Sequence, residues 1–273
     1  MYNPGFSLWA NFVKKSMSSN FEKFKALHHG ADLFVLPNAW DAKSALLFQE
    51  KAFPAVATSS GAVAACLGYE DGEKMPLEGY LFVIKRILAC VKIPVSVDFE
   101  MGYGKTDEAI LHNLLQLCEM GVAGINLEDS FISNGKRTLK ETSTFANTIN
   151  YLKNKLAAQG AELFFNIRCD TYLLDLKDKQ EETTLRLPLY ESAGADGIFL
   201  PCISEEADIA EALKNTKLPL NVMCIPGLPD FNRLQTLGVK RASMGPFFLN
   251  KTYTKATELL EELVEKQSFA PLL

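Results

Sequence analysis

Two short acidic segments near the middle of the chain hold side chains that could bind a divalent cation. Asp98 and Glu100 flank Phe99 at the end of one apolar run, and Glu128 and Asp129 follow the next run. Carboxylates this close repel one another strongly unless a cation neutralises them. Oxygen ligands suit Mg2+ or Mn2+ better than zinc. The pattern therefore predicts a Mg2+ site at Asp98, Glu100 and Glu128, with solvated loop acids as the ordinary alternative.

Other polar residues at the ends of apolar runs could hold an anionic substrate. Arg168 ends such a run, where an unpaired buried charge would be costly, so it needs an anionic partner. That partner is either a substrate carboxylate or an internal ion pair with Glu128 or Asp170. Ser59–Gly61 precede a run of small residues, where N–H groups at a helix start could receive a carboxylate. The alternative for Ser59–Gly61 is an ordinary helix N-cap.

The positions of the histidines and cysteines disfavour several other kinds of site. His28, His29 and His112 all lie outside the predicted strand ends, which disfavours a Ser-His-Asp triad or a His-ligated zinc. The six cysteines are scattered without a CxxC pair, so neither a disulfide framework nor a zinc site is indicated.

Charge and hydropathy disfavour nucleic-acid and membrane partners. The chain has 28 Lys and Arg against 33 Asp and Glu, and it offers no basic stripe for a phosphate backbone, so we expect no nucleic-acid partner. No apolar run reaches the roughly 18 residues needed to span a bilayer, and the first ten residues lack a basic segment leading into an apolar one. These observations predict a cytoplasmic protein without a membrane partner.

The elements that must position these residues follow a regular alternation over the 273 residues. Short apolar runs typical of strands covered on both faces alternate with helical patterns, as expected for βαβ units and a parallel sheet. Eight such units predict a single (β/α)8 barrel, because an open doubly wound sheet normally uses five or six strands. The segment Met17–His29 predicts one more helix at the bottom or flank of the barrel. The predicted strands are Leu33–Leu36, Ala55–Ser59, Val95–Phe99, Gly124–Leu127, Leu163–Ile167, Gly197–Leu200, Leu220–Met223 and Arg241–Met244.

In such a barrel the chemistry lies at the carboxyl ends of the strands, where the candidate residues above are expected. The alternation within Asp98–Glu100 places both acids on one face. Because the interior layers are expected to be apolar, that face must look into the mouth of the barrel. The last helix is predicted over Lys255–Lys266.

Several motifs, taken in order, resemble the isocitrate lyase/phosphoenolpyruvate mutase superfamily. The resemblance covers most of the chain, and the ordered combination is far more specific than any one motif. It continues more weakly through Phe165–Arg168, Gly194–Gly197 and Asn221. The main segments are Leu36–Asp41 (LPNAWD), Ala57–Gly61 (ATSSG), Leu67–Gly72 (LGYEDG), Asp98–Gly104 (DFEMGYG) and Asn126–Ser130 (NLEDS).

The resemblance implies a Mg2+-binding barrel that makes or breaks a C–C or P–C bond next to an enolate. It implies that Asp98 is the direct metal ligand and that Glu100 and Glu128 hold the ion through waters. It also implies that members exchange their last helices in dimers or tetramers, so we expect residues 254–273 to pack on a neighbouring subunit. The substrate-binding positions implied are Trp40, Ser59, Ser60, Gly61, Asp98, Arg168 and Asn221, with Asp71 on a gating loop.

One loop departs from the pattern of the lyase members. Those members carry a Cys and a His on a mobile loop after the fourth strand, whereas here Ser130–Thr138 contains neither. The usual lyase proton relay is therefore not expected. Phosphonate-handling members place Asn and Lys on this loop, so Asn134 and Lys136 join Asp71 and Arg168 as candidate catalytic residues.

Three functional hypotheses follow. The first is a Mg2+-dependent enzyme acting on a small 2-oxo acid or a related di- or tricarboxylate or phosphonate. The second is a small-carboxylate binding protein that kept the pocket and lost the catalytic loop. The third is an unrelated phosphate-binding barrel, for which Pro226-Gly227 and Met244–Pro246 supply only a poor phosphate cup.

Overall fold

Apolar runs of three to five residues form the parallel strands, because helices cover one side and the barrel interior the other. The computed structural model describes residues 20–273. The strands of this part of the chain are β1 (Phe34–Leu36), β2 (Asn38–Ala39), β3 (Val56–Thr58), β4 (Val95–Asp98), β5 (Gly124–Glu128), β6 (Ser130–Ser133), β7 (Lys136–Leu139), β8 (Phe164–Arg168), β9 (Gly197–Phe199), β10 (Leu220–Met223) and β11 (Arg241–Ser243).

Helices follow the strands of the ring in the order that the sequence predicts. Several end at a glycine in the left-handed conformation, as at Gly121 (φ +89°), Gly194 (φ +103°) and Gly238 (φ +101°). The helices are α1 (20–28), α2 (Ala42–Glu50), α3 (Ser60–Cys66), α4 (Leu77–Cys90), α5 (Asp107–Met120), α6 (Thr142–Ala158), α7 (Lys179–Ala193), α8 (Glu206–Lys214), α9 (Phe231–Leu237) and α10 (Phe247–Lys266). None of the helices within residues 20–273 is both long and apolar enough to cross a membrane.

The first strand of the ring is split in two at Pro37. β1 pairs with β11 in the register Phe34 to Arg241, whereas β2 pairs with β3 in the register Asn38 to Ala57. Pro37 has no N–H group, but its carbonyl accepts a hydrogen bond from Ala57 N at 2.9 Å. β1 and β2 together therefore act as one strand that closes the ring. The predicted (β/α)8 barrel is confirmed.

The amino end of the barrel is plugged by aromatic side chains. Phe24 of α1 makes edge contacts with Phe34 and Phe164, with ring centroids 6.5 and 5.6 Å apart. Gly124 leaves room for this plug, since a Cβ there would lie 2.8 Å from the Phe24 ring. The predicted helix Met17–His29 is thus present over its described part, whereas residues 17–19 lie outside the described residues.

The interior of the barrel is not purely apolar, and that expectation was wrong. Asn126, Asn166, Asn221 and Arg241 are all buried. The Arg241 guanidinium on β11 donates to the Asn126 side chain on β5, although these strands are not neighbours in the sheet, so the contact crosses the interior. A polar layer therefore lies between the aromatic plug and the mouth.

The segment after β5 is a hairpin rather than a simple loop. β6 and β7 pair antiparallel around Asn134 and Gly135, which have φ values of +51° and +73°. Asn-Gly at these two positions is the sequence that a two-residue type I′ turn requires. This hairpin, which the sequence analysis treated as a loop, carries Asn134 and Lys136 on its exposed tip.

The last helix begins earlier than predicted. α10 starts at Phe247 rather than Lys255, and Phe248 packs on Trp40 and Phe48, with ring centroids 6.1 and 5.3 Å apart. Further along, Leu260 and Val264 are exposed to 59% and 71%. The contact of residues 254–273 with a neighbouring subunit stays a prediction.

Candidate active site

A cavity of about 200 Å3 opens at the carboxyl ends of the strands. Six of the predicted site residues line it: Ser59, Ser60, Gly61, Asp71, Asp98 and Arg168. The remaining lining residues are Asn38, Asn126, Leu173, Phe199, Pro201, Met223, Ser243, Gly245 and Pro246. A larger groove of about 670 Å3 lies along α10, but no acid and no arginine lines it. The central cavity is therefore the candidate active site.

Asp98 is held by hydrogen bonds on both carboxylate oxygens. Its Oδ2 accepts from the Ser60 hydroxyl at 2.8 Å and the Ser60 backbone N–H at 3.3 Å. Its Oδ1 accepts from Asn126 Nδ2 at 3.2 Å. Asp98 therefore presents its carboxylate to the cavity in a fixed orientation.

Asp71 reaches the same place from the segment between α3 and α4. The Ser60 hydroxyl lies 3.4 Å from Asp71 Oδ1, so one hydroxyl lies between the Asp71 and Asp98 carboxylates. Gly61 permits this approach, because a Cβ there would lie 3.3 Å from the Asp71 carboxyl carbon. Ser59 caps α3 by accepting from Ala62 N at 3.3 Å. The Ser59 side chain thus serves as an N-cap, while the helix start still faces the cavity.

Glu100 lies behind Asp98 in a strained turn. Its φ of +48° is in the left-handed region, and its carboxylate accepts from Tyr103 Oη and Glu73 N, each at 2.9 Å. Burial, reinforced by the nearby Asp71 and Asp98 carboxylates, raises the pKa of Glu100 to about 8. No basic side chain hydrogen-bonds to Glu100 within residues 20–273. Asp71, Asp98 and Glu100 are hereafter called the open cluster.

Glu128 has a different environment, because guanidinium groups surround it. Arg137 of the hairpin hydrogen-bonds to Glu128 Oε1, and Arg168 Nη1 lies 3.1 Å from Glu128 Oε2. Arg168 Nε also donates to Asp170 at 2.6 Å. The internal ion pair that the sequence left open for Arg168 is therefore present, although Arg168 still lines the cavity.

A third buried acid beside this network is also paired. Asp129 accepts from Arg186 Nη1 at 3.1 Å and from Tyr190 Oη at 2.8 Å. Burial raises the pKa of Asp129, and these donors work against the rise. We call these acids and their arginines the paired cluster: Glu128, Asp129, Asp170, Arg137, Arg168 and Arg186.

Six predicted site residues do not line the cavity: Trp40, Glu100, Glu128, Asn134, Lys136 and Asn221. Trp40 packs against Phe248 of α10, and Asn221 is buried in the polar layer beneath the cavity. Asn134 and Lys136 are exposed on the hairpin. The cavity lining thus gathers six of the predicted site residues and leaves the other six outside.

Arg137 is a site residue that the sequence analysis did not include among its candidates. The available signal was Asn134-Gly135, because a two-residue turn fixes the hairpin register. In that register Lys136 pairs with Ser133 and Arg137 pairs with Ile132. Alternation then points Arg137 to the face opposite Lys136, toward the barrel.

Only some of the acids at the mouth of the barrel are placed where they could bind a divalent cation. Within residues 20–273 no three His, Cys, Asp or Glu side chains are grouped closely enough to hold one ion. The structure therefore does not bring Asp98, Glu100 and Glu128 to a single point. Asp71 and Asp98 nevertheless face one cavity with oxygen donors only, and the open cluster has excess negative charge. The chemistry of this donor set suits Mg2+ or Mn2+.

A closed parallel barrel with a polar cavity at its carboxyl end is typical of (β/α)8 enzymes. Residues 24–264 match the family model described as phosphoenolpyruvate phosphomutase, and the chain belongs to this family. The resemblance found in the sequence is thereby confirmed.

Relatives in this family have several activities. An uncharacterized protein of Mycobacterium tuberculosis is 36% identical over 222 residues, covering 81% of each chain. The oxaloacetate decarboxylase of Ectopseudomonas mendocina is 27% identical over 80% of this chain and 75% of its own length. The phosphoenolpyruvate phosphomutase of Tetrahymena pyriformis is 25% identical over 80% and 74%.

Solved structures share the same architecture. A protein from Burkholderia cenocepacia J2315, provisionally named a phosphonomutase, superposes with a TM-score of 0.81 at 33% identity, covering 90% of this chain and 99% of that one. An oxaloacetate acetylhydrolase bound to its product oxalate has a TM-score of 0.80 at 20% identity, over 92% and 88% of the two chains. The second likeness shows the fold alone.

Proposed function

We propose that this protein is a Mg2+-dependent enzyme that forms or cleaves a C–C or P–C bond next to the enolate of a small 2-oxo acid. The observation that carries the proposal is the cavity in which the Asp98 carboxylate, the start of α3 and Arg168 face one space. Its volume is below the range of pockets for drug-sized ligands, which favours a small acid. Relatives named phosphoenolpyruvate phosphomutase, oxaloacetate decarboxylase and 2-methylisocitrate lyase support the same substrate class.

The chain's own residues would bind and orient such a substrate. Arg168 would receive one carboxylate, because a guanidinium matches that group bidentately. The N–H groups of Ser60 and Gly61 at the start of α3 would receive the second anionic group. Asp98, with Glu100 and Glu128 behind it, would hold the cation. A bound Mg2+ supplies Lewis-acid stabilisation of the developing enolate charge.

Asp71 would contact the substrate, since it lines the same cavity as Arg168. Asn134 and Lys136 would take part only after the hairpin moved toward the cavity. Asn221 would act through the polar layer, and Trp40 through its packing on α10. We further propose a cytoplasmic homodimer or homotetramer in which residues 254–273 contact a neighbouring subunit, which sedimentation of the purified protein would test.

A panel of 2-oxo and 2-hydroxy di- and tricarboxylates plus phosphonopyruvate tests the reaction. Release of pyruvate or oxalate would be measured with and without Mg2+. We expect Mg2+-dependent turnover of at least one compound. If Mg2+ and oxalate bind but nothing turns over, the protein is a small-carboxylate binding protein. The absence of any Cys or His from the cavity lining within residues 20–273 is the observation that favours this second function.

Asp98→Ala tests the role of Asp98. We expect the affinity for Mg2+ with oxalate to fall by at least about 100-fold, since the change removes an oxygen ligand and no core volume. Isothermal titration calorimetry measures that affinity, and Asp32→Ala at an exposed position is the matched control. Unchanged affinity in the Asp98 variant would refute the assignment.

A further inference from the structure

A ladder of buried amides runs through the barrel beneath the cavity. Asp98, Asn126 and Asn166 are register partners on β4, β5 and β8, so their side chains lie at one height. Asn166 Nδ2 donates to Asn126 Oδ1 at 2.8 Å and to Asn221 Oδ1 at 3.2 Å. Asn221 Nδ2 in turn donates to Ser243 Oγ at 3.1 Å. The ladder links five strands, from Ser243 on β11 to Asp98 on β4.

Arg241 fixes the direction of this ladder. Its Nη2 donates to Asn126 Oδ1 at 3.3 Å, and a guanidinium has only donors. Asn126 must therefore turn its carbonyl oxygen toward Arg241 and Asn166, and its NH2 group is left facing Asp98 Oδ1, which it reaches at 3.2 Å. The amide orientation of Asn126 follows from the chemistry of Arg241.

The carboxylate of Asp98 needs such a contact to be held in one plane. The terminal torsion of an aspartate is soft and has no sharp rotamer wells. Ser60 fixes Oδ2 and Asn126 fixes Oδ1 from opposite sides. Without the Asn126 donor, the Ser60 contacts alone would leave the carboxylate plane free to rotate.

Burying the charge of Arg241 in this position is energetically unfavourable. It is fully buried, and its Nε and Nη1 have no hydrogen-bond partner within residues 20–273. Burial lowers the pKa of Arg241 to about 9, and the attraction of Asp98 opposes the decrease. Buried charges of this kind can often be replaced by apolar residues without loss of stability. The fold alone therefore gives no reason to keep Arg241.

We propose that Asn126 and Arg241 are positioning residues for Asp98. Arg241 orients the Asn126 amide, and Asn126 holds the Asp98 carboxylate toward the cavity. The inference rests on the proposed function for the role of Asp98, and it adds two residues that act through the Asp98 carboxylate.

Arg241→Met separates positioning from structure. Methionine has similar length and no charge, so we expect the unfolding midpoint to stay the same or rise. We expect Mg2+-dependent oxalate affinity, measured by calorimetry, to fall about tenfold, because a misoriented ligand group costs at least this much. Arg241→Lys keeps a charge and a donor and should recover the affinity to within about threefold. Wild-type affinity in Arg241→Met would overturn the role of Arg241.

Asn126→Asp keeps the proposal testable if Arg241→Met does not fold. The new carboxylate still accepts from Arg241 and Asn166, but it no longer donates to Asp98 as an amide does. We expect oxalate affinity about tenfold weaker, because the ionised side chain repels the Asp98 carboxylate instead of holding it. Wild-type affinity in this variant would overturn the role of Asn126.

Asp98→Ala distinguishes a failure of the positioning proposal from a failure of the proposed function. If Asp98→Ala weakens binding while Asn126→Asp and Arg241→Met do not, the positioning proposal is wrong and the proposed function stands. If Asp98→Ala leaves binding unchanged, the proposed function itself fails. Once a substrate is known, the positioning role further predicts a lower kcat/KM in Arg241→Met at an unchanged unfolding midpoint, with recovery in Arg241→Lys, which a purely structural role would not produce.

Discussion

Two groups of carboxylates lie at the same mouth of the barrel, and they differ in how their charge is balanced. In the paired cluster, every acid is hydrogen-bonded or ion-paired to an arginine. In the open cluster, Asp71, Asp98 and Glu100 are held by hydroxyl, amide and backbone N–H groups. The comparison teaches that the number of acids at a strand end does not identify a cation site. Only the open cluster carries acidic charge that no arginine of the described chain balances within hydrogen-bonding distance.

Arg186→Met should break the paired cluster with the largest effect. Asp129 is fully buried, and losing Arg186 leaves its charge without a cationic partner. We expect the free energy of unfolding to fall by about 3–5 kcal/mol, measured by urea denaturation.

Arg233→Met is the matched control for that change. Arg233 pairs with Glu206 at 2.6 Å on the exposed surface, where solvent screens an ion pair and its loss should change the free energy of unfolding far less. Equal losses in the Arg186 and Arg233 variants would show that burial of the pair does not matter.

Glu100→Gln tests the open cluster by removing one of its three acidic charges. The amide oxygen can still accept from Glu73 N, and the NH2 group can donate to Tyr103 Oη, while a buried charge beside Asp71 and Asp98 is removed. In EDTA at pH 8, we expect the free energy of unfolding to rise by about 1–2 kcal/mol. The measurement is again urea denaturation.

Glu128→Gln should change the free energy of unfolding in the opposite direction in the same assay. It removes the charge that Arg137 and Arg168 compensate, so it should lower stability. If Glu100→Gln and Glu128→Gln both destabilise the protein, the division into two clusters is wrong.

His28 lies at the amino end of the barrel, away from both clusters, and burial changes its pKa. Its effect on the free energy of unfolding is the smallest of those predicted here. Burial, and then the charge of Arg241, holds the pKa of His28 well below its usual value. The folded state therefore keeps His28 neutral, so its contribution is complete above about pH 6.5 and is lost as the pH falls below that value.

His28→Phe should remove this pH dependence. We expect the wild type to lose about 1 kcal/mol more than the variant between pH 7 and pH 5.5, measured by urea denaturation. The ring contacts with Phe24 and Phe164 persist in the variant. His29→Phe, at an exposed neighbour, is the control and should follow the wild type.

Much of the fold could be predicted because the strands are apolar on both faces. The run Gly124–Leu127 contains only one polar residue, Asn126, so the strand was evident while the polar layer was not. Single amides in different apolar runs give no sign that they meet. Asn166 and Asn126 are 40 residues apart in the chain, yet they share a hydrogen bond.

The candidate site was predictable to the extent that it depends on strand ends. Asp98, Arg168 and the start of α3 follow directly from the barrel. The second partner of Glu128 did not, because Arg137 reaches it from a hairpin whose register was not predicted. Side chains on elements outside the ring depend on turn geometry, which apolar periodicity does not encode.

The amide ladder also has an evolutionary consequence. Asn126, Asn166, Asn221 and Arg241 come from four strands, and each hydrogen bond between them fixes which end of the next amide is the donor. Replacing one member reverses or removes a donor that another member needs. Among homologues these four positions should therefore covary as a block, and a lineage that loses the arginine should show compensating changes at the asparagines.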